Sequence, residues 1–123
     1  MDKPVVVTVD DQLFICETLK SILSNKYEVL TFMSGKDAME YLEERSVDII
    51  LLDYDMPGMT GYEVLMSIRS NKYNVKTPVI FITAQTNERM KMEMIERGAN
   101  DYVCKPINSA ILHQKISEQL SKR

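Results

Sequence analysis

The chain is poor in the residues that most often build metal centres and redox pairs. It has two cysteines, Cys16 and Cys104, without the spacing of a C-x-x-C or zinc motif. Two free thiols in a cytoplasmic protein are expected. The only histidine is His113, which excludes a multi-histidine metal site. No basic run is longer than the terminal Ser121-Lys122-Arg123, and the formal net charge is −3. That excludes a segment that grips nucleic acid through its own electrostatics. Long apolar runs are missing too: Val47 to Leu52 is interrupted by Asp48 and falls far short of the roughly 20 residues of a membrane span. Since Met1-Asp2-Lys3-Pro4 leads straight into a strand-like run, neither a signal peptide nor an anchor is expected. There is no repeat, low-complexity tract or linker, so a single domain is expected over residues 1–123.

What is present is the balance of a globular domain, 45% apolar and 27% charged over 123 residues. Short apolar runs alternate with longer segments of helical period. Val5 to Val9, Glu28 to Phe32, Ile49 to Leu52, Val79 to Ile82 and Tyr102 to Cys104 read as strands. Between them Ile15, Leu19, Ile22 and Leu23 form the stripe of an amphipathic helix. Ala38, Met39 and Leu42 mark a second helix, Val64, Leu65 and Ile68 a third, Met90, Met94 and Ile95 a fourth, and Leu112, Ile116 and Leu120 a fifth. Thr86 and Asn87 are candidate caps for the fourth helix and Gly98 its stop.

Strict strand-helix alternation predicts an α/β sandwich, a parallel sheet covered on both faces. With right-handed crossovers, five such units point to a flavodoxin-like fold of strand order 2-1-3-4-5. Ligands then bind at the carboxyl ends of the strands, near the switch point between the first and third.

That end is where the chemistry converges. Asp10 and Asp11 follow the first strand, and Asp53 and Asp55 follow the third. Two like charges ~4 Å apart repel by about 4 kcal/mol at an effective dielectric near 20. A divalent cation is the natural remedy, and an all-oxygen donor set favours Mg²⁺. Thr83 ends the fourth strand and Lys105-Pro106 the fifth, adding a hydroxyl and an ammonium suited to phosphoryl oxygens. Phosphoryl transfer needs mainly positioning and charge neutralisation around an in-line nucleophile, and a carboxylate can be that nucleophile.

With these residues in place the chain resembles the receiver domains of two-component response regulators, of the chemotaxis-regulator kind, over nearly its whole length. The matching elements are Asp10-Asp11, the run Asp53-Tyr54-Asp55-Met56-Pro57-Gly58-Met59-Thr60-Gly61, Phe81-Ile82-Thr83-Ala84, Gly98-Ala99-Asn100-Asp101-Tyr102, and Lys105-Pro106. The resemblance implies that Asp53 is the phosphoacceptor and that Asp11 and Asp53 ligate Mg²⁺ or Mn²⁺ directly. It implies further that Asp10 acts through water and that the Asp55 backbone carbonyl completes the metal site. Lys105 and Thr83 would hold the phosphoryl group, Tyr102 would be the aromatic switch, and the Lys105-Pro106 bond would be cis. Asp55 and Gln85 occupy positions that tune the lifetime of the phosphorylated state. The expected partners are a histidine kinase or phosphotransfer protein and an output domain or target, with a phosphorylation-dependent homodimer as one form of output. Met94 stands where a small residue is common in the family, and position 55 carries an acid.

Two other readings stand beside this one. Ile49-Ile50-Leu51-Leu52-Asp53-Tyr54-Asp55 is an apolar strand ending in D-x-D, as in haloacid-dehalogenase-type phosphatases. Those enzymes, however, place further acidic metal ligands late in the chain, whereas Asp10-Asp11 come before the D-x-D. A degenerate receiver used only for protein binding would not need Asp11, Asp53, Thr83 and Lys105 together. Met90, Met92 and Met94 cannot all face inward on one narrow helical stripe, so at least one is expected at the surface, with Met90 or Met92 in an interface.

Overall fold

The computed structural model describes residues 2–123. Its strands are β1 (Val5–Val9), β2 (Glu28–Phe32), β3 (Ile49–Asp53), β4 (Val79–Thr83) and β5 (Asp101–Cys104). They alternate with α1 (Leu13–Leu23), α2 (Gly35–Leu42), α3 (Gly61–Arg69), α4 (Glu88–Glu96) and α5 (Ser109–Ser121). All neighbouring strands pair in parallel, in the order β2-β1-β3-β4-β5. This is the flavodoxin-like architecture expected from the alternation.

The wholly apolar strands follow from burial on two faces. Along β3 and β4, Ile50, Leu52, Val79 and Phe81 face a core closed by α2, α3 and α4 through Ala38, Leu42, Val64, Leu65, Ile68 and Met94. Ile49, Leu51, Ile80 and Ile82 face the opposite core, closed by α1 and α5 through Leu19, Leu23, Leu112 and Ile116. Every residue of β3 and β4 is buried. β2 lies at the edge and keeps a mixed burial pattern, which explains its weaker apolar signal.

Three strands run one residue beyond their apolar stretch, to include Asp53, Thr83 and Asp101. Pairing depends on the main chain, and the Tyr54 amide still donates to the Ile82 carbonyl (2.9 Å) and the Lys105 amide to the Thr83 carbonyl (2.7 Å). Asp53 and Thr83 therefore stand on rigid strand ends, and Asp10 and Lys105 directly follow the ends of β1 and β5. Helix starts are set by side-chain caps: Ser34 for α2, a Thr60–Glu63 capping box for α3, Asn87 for α4 and Asn108 for α5. Of the two cap candidates before α4, Asn87 serves. Gly98, at φ +116°, follows the last turn of α4 in a region that favours glycine.

Candidate functional site

The acidic end of the sheet assembles as the topology demands. One carboxylate oxygen each from Asp10, Asp11 and Asp53 lie within 4.8 Å of one another. Asp10 and Asp53 are buried, at 1% and 2% exposure. The Lys105 ammonium reaches both, 3.4 Å from Asp53 Oδ1 and 3.6 Å from Asp10 Oδ2. The Asp55 amide donates to Asp53 Oδ1 (3.3 Å), while the Asp55 side chain is exposed. The Gln12 amide donates to Asp10 Oδ1 (2.9 Å). Gln12 is also the N-cap of α1 and makes no side-chain cap bond, so the partly positive amino end of that helix opens beside the acids.

The electrostatics follow from this crowding. Asp53 is pushed up to about 6, first by burial and then by the neighbouring Asp10 carboxylate, with the Lys105 ammonium and the Asp55 amide pulling the other way. Burial likewise raises Asp10, against the Gln12 amide and Lys105. The Cys16 thiol, buried and donating to the Asp10 carbonyl (3.2 Å), is held protonated by burial and by the acids above it. Neither Cys16 nor Cys104 is in a disulfide.

Asp10 Oδ2 is buried and makes no hydrogen bond among the described residues. A buried carboxylate oxygen of this kind fits a cation or its water shell. The donor set is all oxygen, as Mg²⁺ prefers. With ligands about 2.1 Å from the ion, opposite donors stand about 4.2 Å apart, so a trio within 4.8 Å can be engaged with one member met through water.

Thr83 is fully buried at the end of β4, and its Oγ1 accepts from the Gln85 amide (2.9 Å), which leaves the hydroxyl proton free to donate. Lys105–Pro106 is a cis peptide bond. Tyr102 pairs in register with Phe81 on β4, two residues before Thr83, and packs against the core beneath α2, α3 and α4. Alternation along β4 and β5 therefore directs Thr83 and Tyr102 to the same sheet face. Met94 is buried, Met92 is exposed and Met90 is half-buried, so at least one methionine is at the surface, as expected from the spacing.

Sequence reasoning did not find the groups around Tyr102. Lys91 of α4 and Lys115 of α5 place their ammonium groups 5.1 and 4.8 Å from its ring centroid. They are distant in sequence and lie on different elements, so no local pattern marks them.

A family model described as the response regulator receiver domain matches residues 6–117, and the chain belongs to that family. It is 34% identical over 118 residues to a protein of Vibrio cholerae named a probable cyclic di-GMP phosphodiesterase, covering 96% of this chain and 27% of that protein. It is 30% identical to the regulatory protein VanRc of Enterococcus gallinarum, covering 95% of this chain and 50% of that one. The chain thus spans half or less of the length of these curated relatives. Among solved structures, the chemotaxis response regulator CheY4 of Vibrio cholerae superposes with a TM-score of 0.90 at 29% identity, covering 96% of this chain and 99% of that one. The family is a signalling switch rather than a conventional metabolic enzyme, and the phosphodiesterase name belongs to a relative of which this chain matches only 27%. Among the described residues no helix is long and apolar enough to cross a membrane.

Proposed function

We propose that the chain is a phosphorylation-controlled signalling switch of the cytoplasm. It takes a phosphoryl group onto Asp53 from the phosphohistidine of a histidine kinase or phosphotransfer protein, and it controls an output domain or target protein through a changed surface. The observation that carries this reading is Lys105, whose ammonium spans the two buried carboxylates of Asp53 and Asp10 at 3.4 and 3.6 Å. A carboxylate with a movable cation beside it is equipped to gain further negative charge.

In the step itself, a carboxylate oxygen of Asp53 forms a bond to phosphorus as the phosphorus–nitrogen bond of the donor breaks. The electron pair stays on the departing imidazole. Lys105 follows the charge onto the phosphoryl oxygens, and the Thr83 hydroxyl donates to one of them. Asp11, Asp53, the Asp55 carbonyl and, through water, Asp10 would hold Mg²⁺ or Mn²⁺, which supplies charge neutralisation at the phosphoryl oxygens. Water later attacks phosphorus, the Asp53–phosphorus bond breaks, and the free carboxylate returns. The exposed Asp55 side chain and Gln85, whose amide fixes Thr83, would set how long the phosphoryl group stays.

The test uses acetyl phosphate with Mg²⁺. Intact mass should show one added phosphoryl group, removed by Asp53→Asn. A label that persists in that variant overturns the assignment.

A further inference from the structure

Lys91 is an unusual lysine. Its side chain is only 14% exposed, and its one carboxylate neighbour, Glu88 at 3.6 Å, is 81% exposed on the helix surface. Buried lysine stems are common, but their ammonium groups normally reach water or a close acid. Here the ammonium stands 5.1 Å from the centre of the Tyr102 ring, within the range of a cation–π contact.

The second cation on that ring is held differently. The Lys115 ammonium is tied to Asp101 Oδ1 (3.0 Å) and to the Tyr102 carbonyl (2.8 Å) as well as standing 4.8 Å from the ring. Those bonds fix Lys115 to the β5 backbone whichever way the Tyr102 side chain turns. Lys91 has no such tether among the described residues, so its contact with the ring depends on where the ring is.

We propose that Lys91 is a positioning residue that acts through Tyr102, the aromatic switch implied by the resemblance: it holds the ring under α4 and so opposes an inward turn of the ring toward Thr83 when Asp53 is phosphorylated. This rests on the reading of Asp53 and Tyr102 given above. A turn toward Thr83, on the same sheet face, takes the ring from beneath the ammonium and leaves Lys91 with Glu88 alone. Whatever stabilises the present ring position weakens phosphoryl binding, by at most the same factor, because the two equilibria are linked.

The sign of the effect separates this role from simple electrostatics. Removing a positive charge disfavours an anionic adduct, so charge alone predicts weaker binding in Lys91→Met. Loss of the ring contact predicts tighter binding.

The measurement is the affinity for beryllofluoride with Mg²⁺, together with the NMR signals of the Tyr102 ring. Lys91→Met, which keeps the apolar stem, should bind roughly two- to fivefold more tightly. Its ring signals without ligand should move toward those of the loaded protein. Lys91→Arg, which restores a cation, should return to wild-type behaviour, and Lys91→Met should have no effect when Tyr102 is already Ala. Affinity in Lys91→Met equal to or weaker than wild type, with wild type binding normally, overturns the role of Lys91 alone. Failure of wild type to bind beryllofluoride overturns this role and the reading of Asp53 together.

Discussion

An ionised Asp53 sits where burial and the Asp10 carboxylate both oppose its charge, and without a metal this is a debt in folding free energy. In the folded chain its proton is lost at about 6 rather than the ordinary 3.8. Below about pH 3 the group is protonated in both folded and unfolded chains and there is no penalty. Between about 4 and 6 the unfolded chain ionises first, so stability falls as pH rises across that window; above 6 the full penalty persists. A shift from 3.8 to about 6 corresponds to up to about 3 kcal/mol. Asp53→Asn should therefore raise the denaturant midpoint of the metal-free protein at pH 7.5, and the gain should shrink to a small fraction near pH 4 and vanish below about pH 3. A gain that is the same at both pH values would show that ionisation of Asp53 is not its source.

Helix α4 is the element best placed to transmit a change at this site, because Met94 is its only fully buried residue. It is otherwise held by Asn87 at one end and the Gly98 turn at the other. Met92 is 63% exposed, beside Arg89, Glu93 and Glu96, while Met90 is half-buried. Methionine adapts to different apolar partners, so Met92→Lys should weaken association with a partner, or with a second copy, that forms in beryllofluoride, with little loss of stability. Met90→Lys should cost stability first. Sedimentation with and without beryllofluoride checks this, and an unchanged response in Met92→Lys removes Met92 from the output surface. That at least one of these methionines is exposed was legible in the sequence, because alternate positions cannot share one narrow helical stripe; that it is Met92 rather than Met90 was not. The elements and their order were legible too, since two-faced burial writes nearly unbroken apolar runs. What periodicity could not show were contacts between distant segments. Arg69 donates to the carbonyls of Gly98 and Thr77 and to Asn100 Oδ1, and buried Asn74 joins Leu42, Arg45, Val47 and Thr77. Asp101 and Lys115 occupy the amide and carbonyl of Tyr102 on β5, the last strand of the sheet, and blunt that edge. Each depends on three-dimensional proximity that no spacing rule carries.

At the scale of the whole molecule, five strands deliver three acids to one end of the sheet, and only Lys105 is paired with two of them. Folding therefore builds a site that a divalent cation can stabilise, and the unfolded chain, with Asp10-Asp11 and Asp53 far apart, has no equivalent. A ligand that binds only the folded state at 100 times its Kd adds about 2.7 kcal/mol, and for a domain of this size each kcal/mol moves Tm by about 3–6 °C. Saturating Mg²⁺ should thus raise Tm by roughly 10 °C. Asp11→Ala should lose most of that rise, because Asp11 is the least buried of the three acids and its removal leaves the core intact. Lys105→Ala should respond to Mg²⁺ at least as strongly as wild type, since the ammonium competes for the same carboxylates, yet it should be impaired in phosphorylation by acetyl phosphate. Scanning calorimetry of the three proteins, with Mg²⁺ and with chelator, separates the roles. Equal metal stabilisation in wild type and Asp11→Ala would place the ion elsewhere, and normal phosphorylation of Lys105→Ala would remove the lysine from the transfer step.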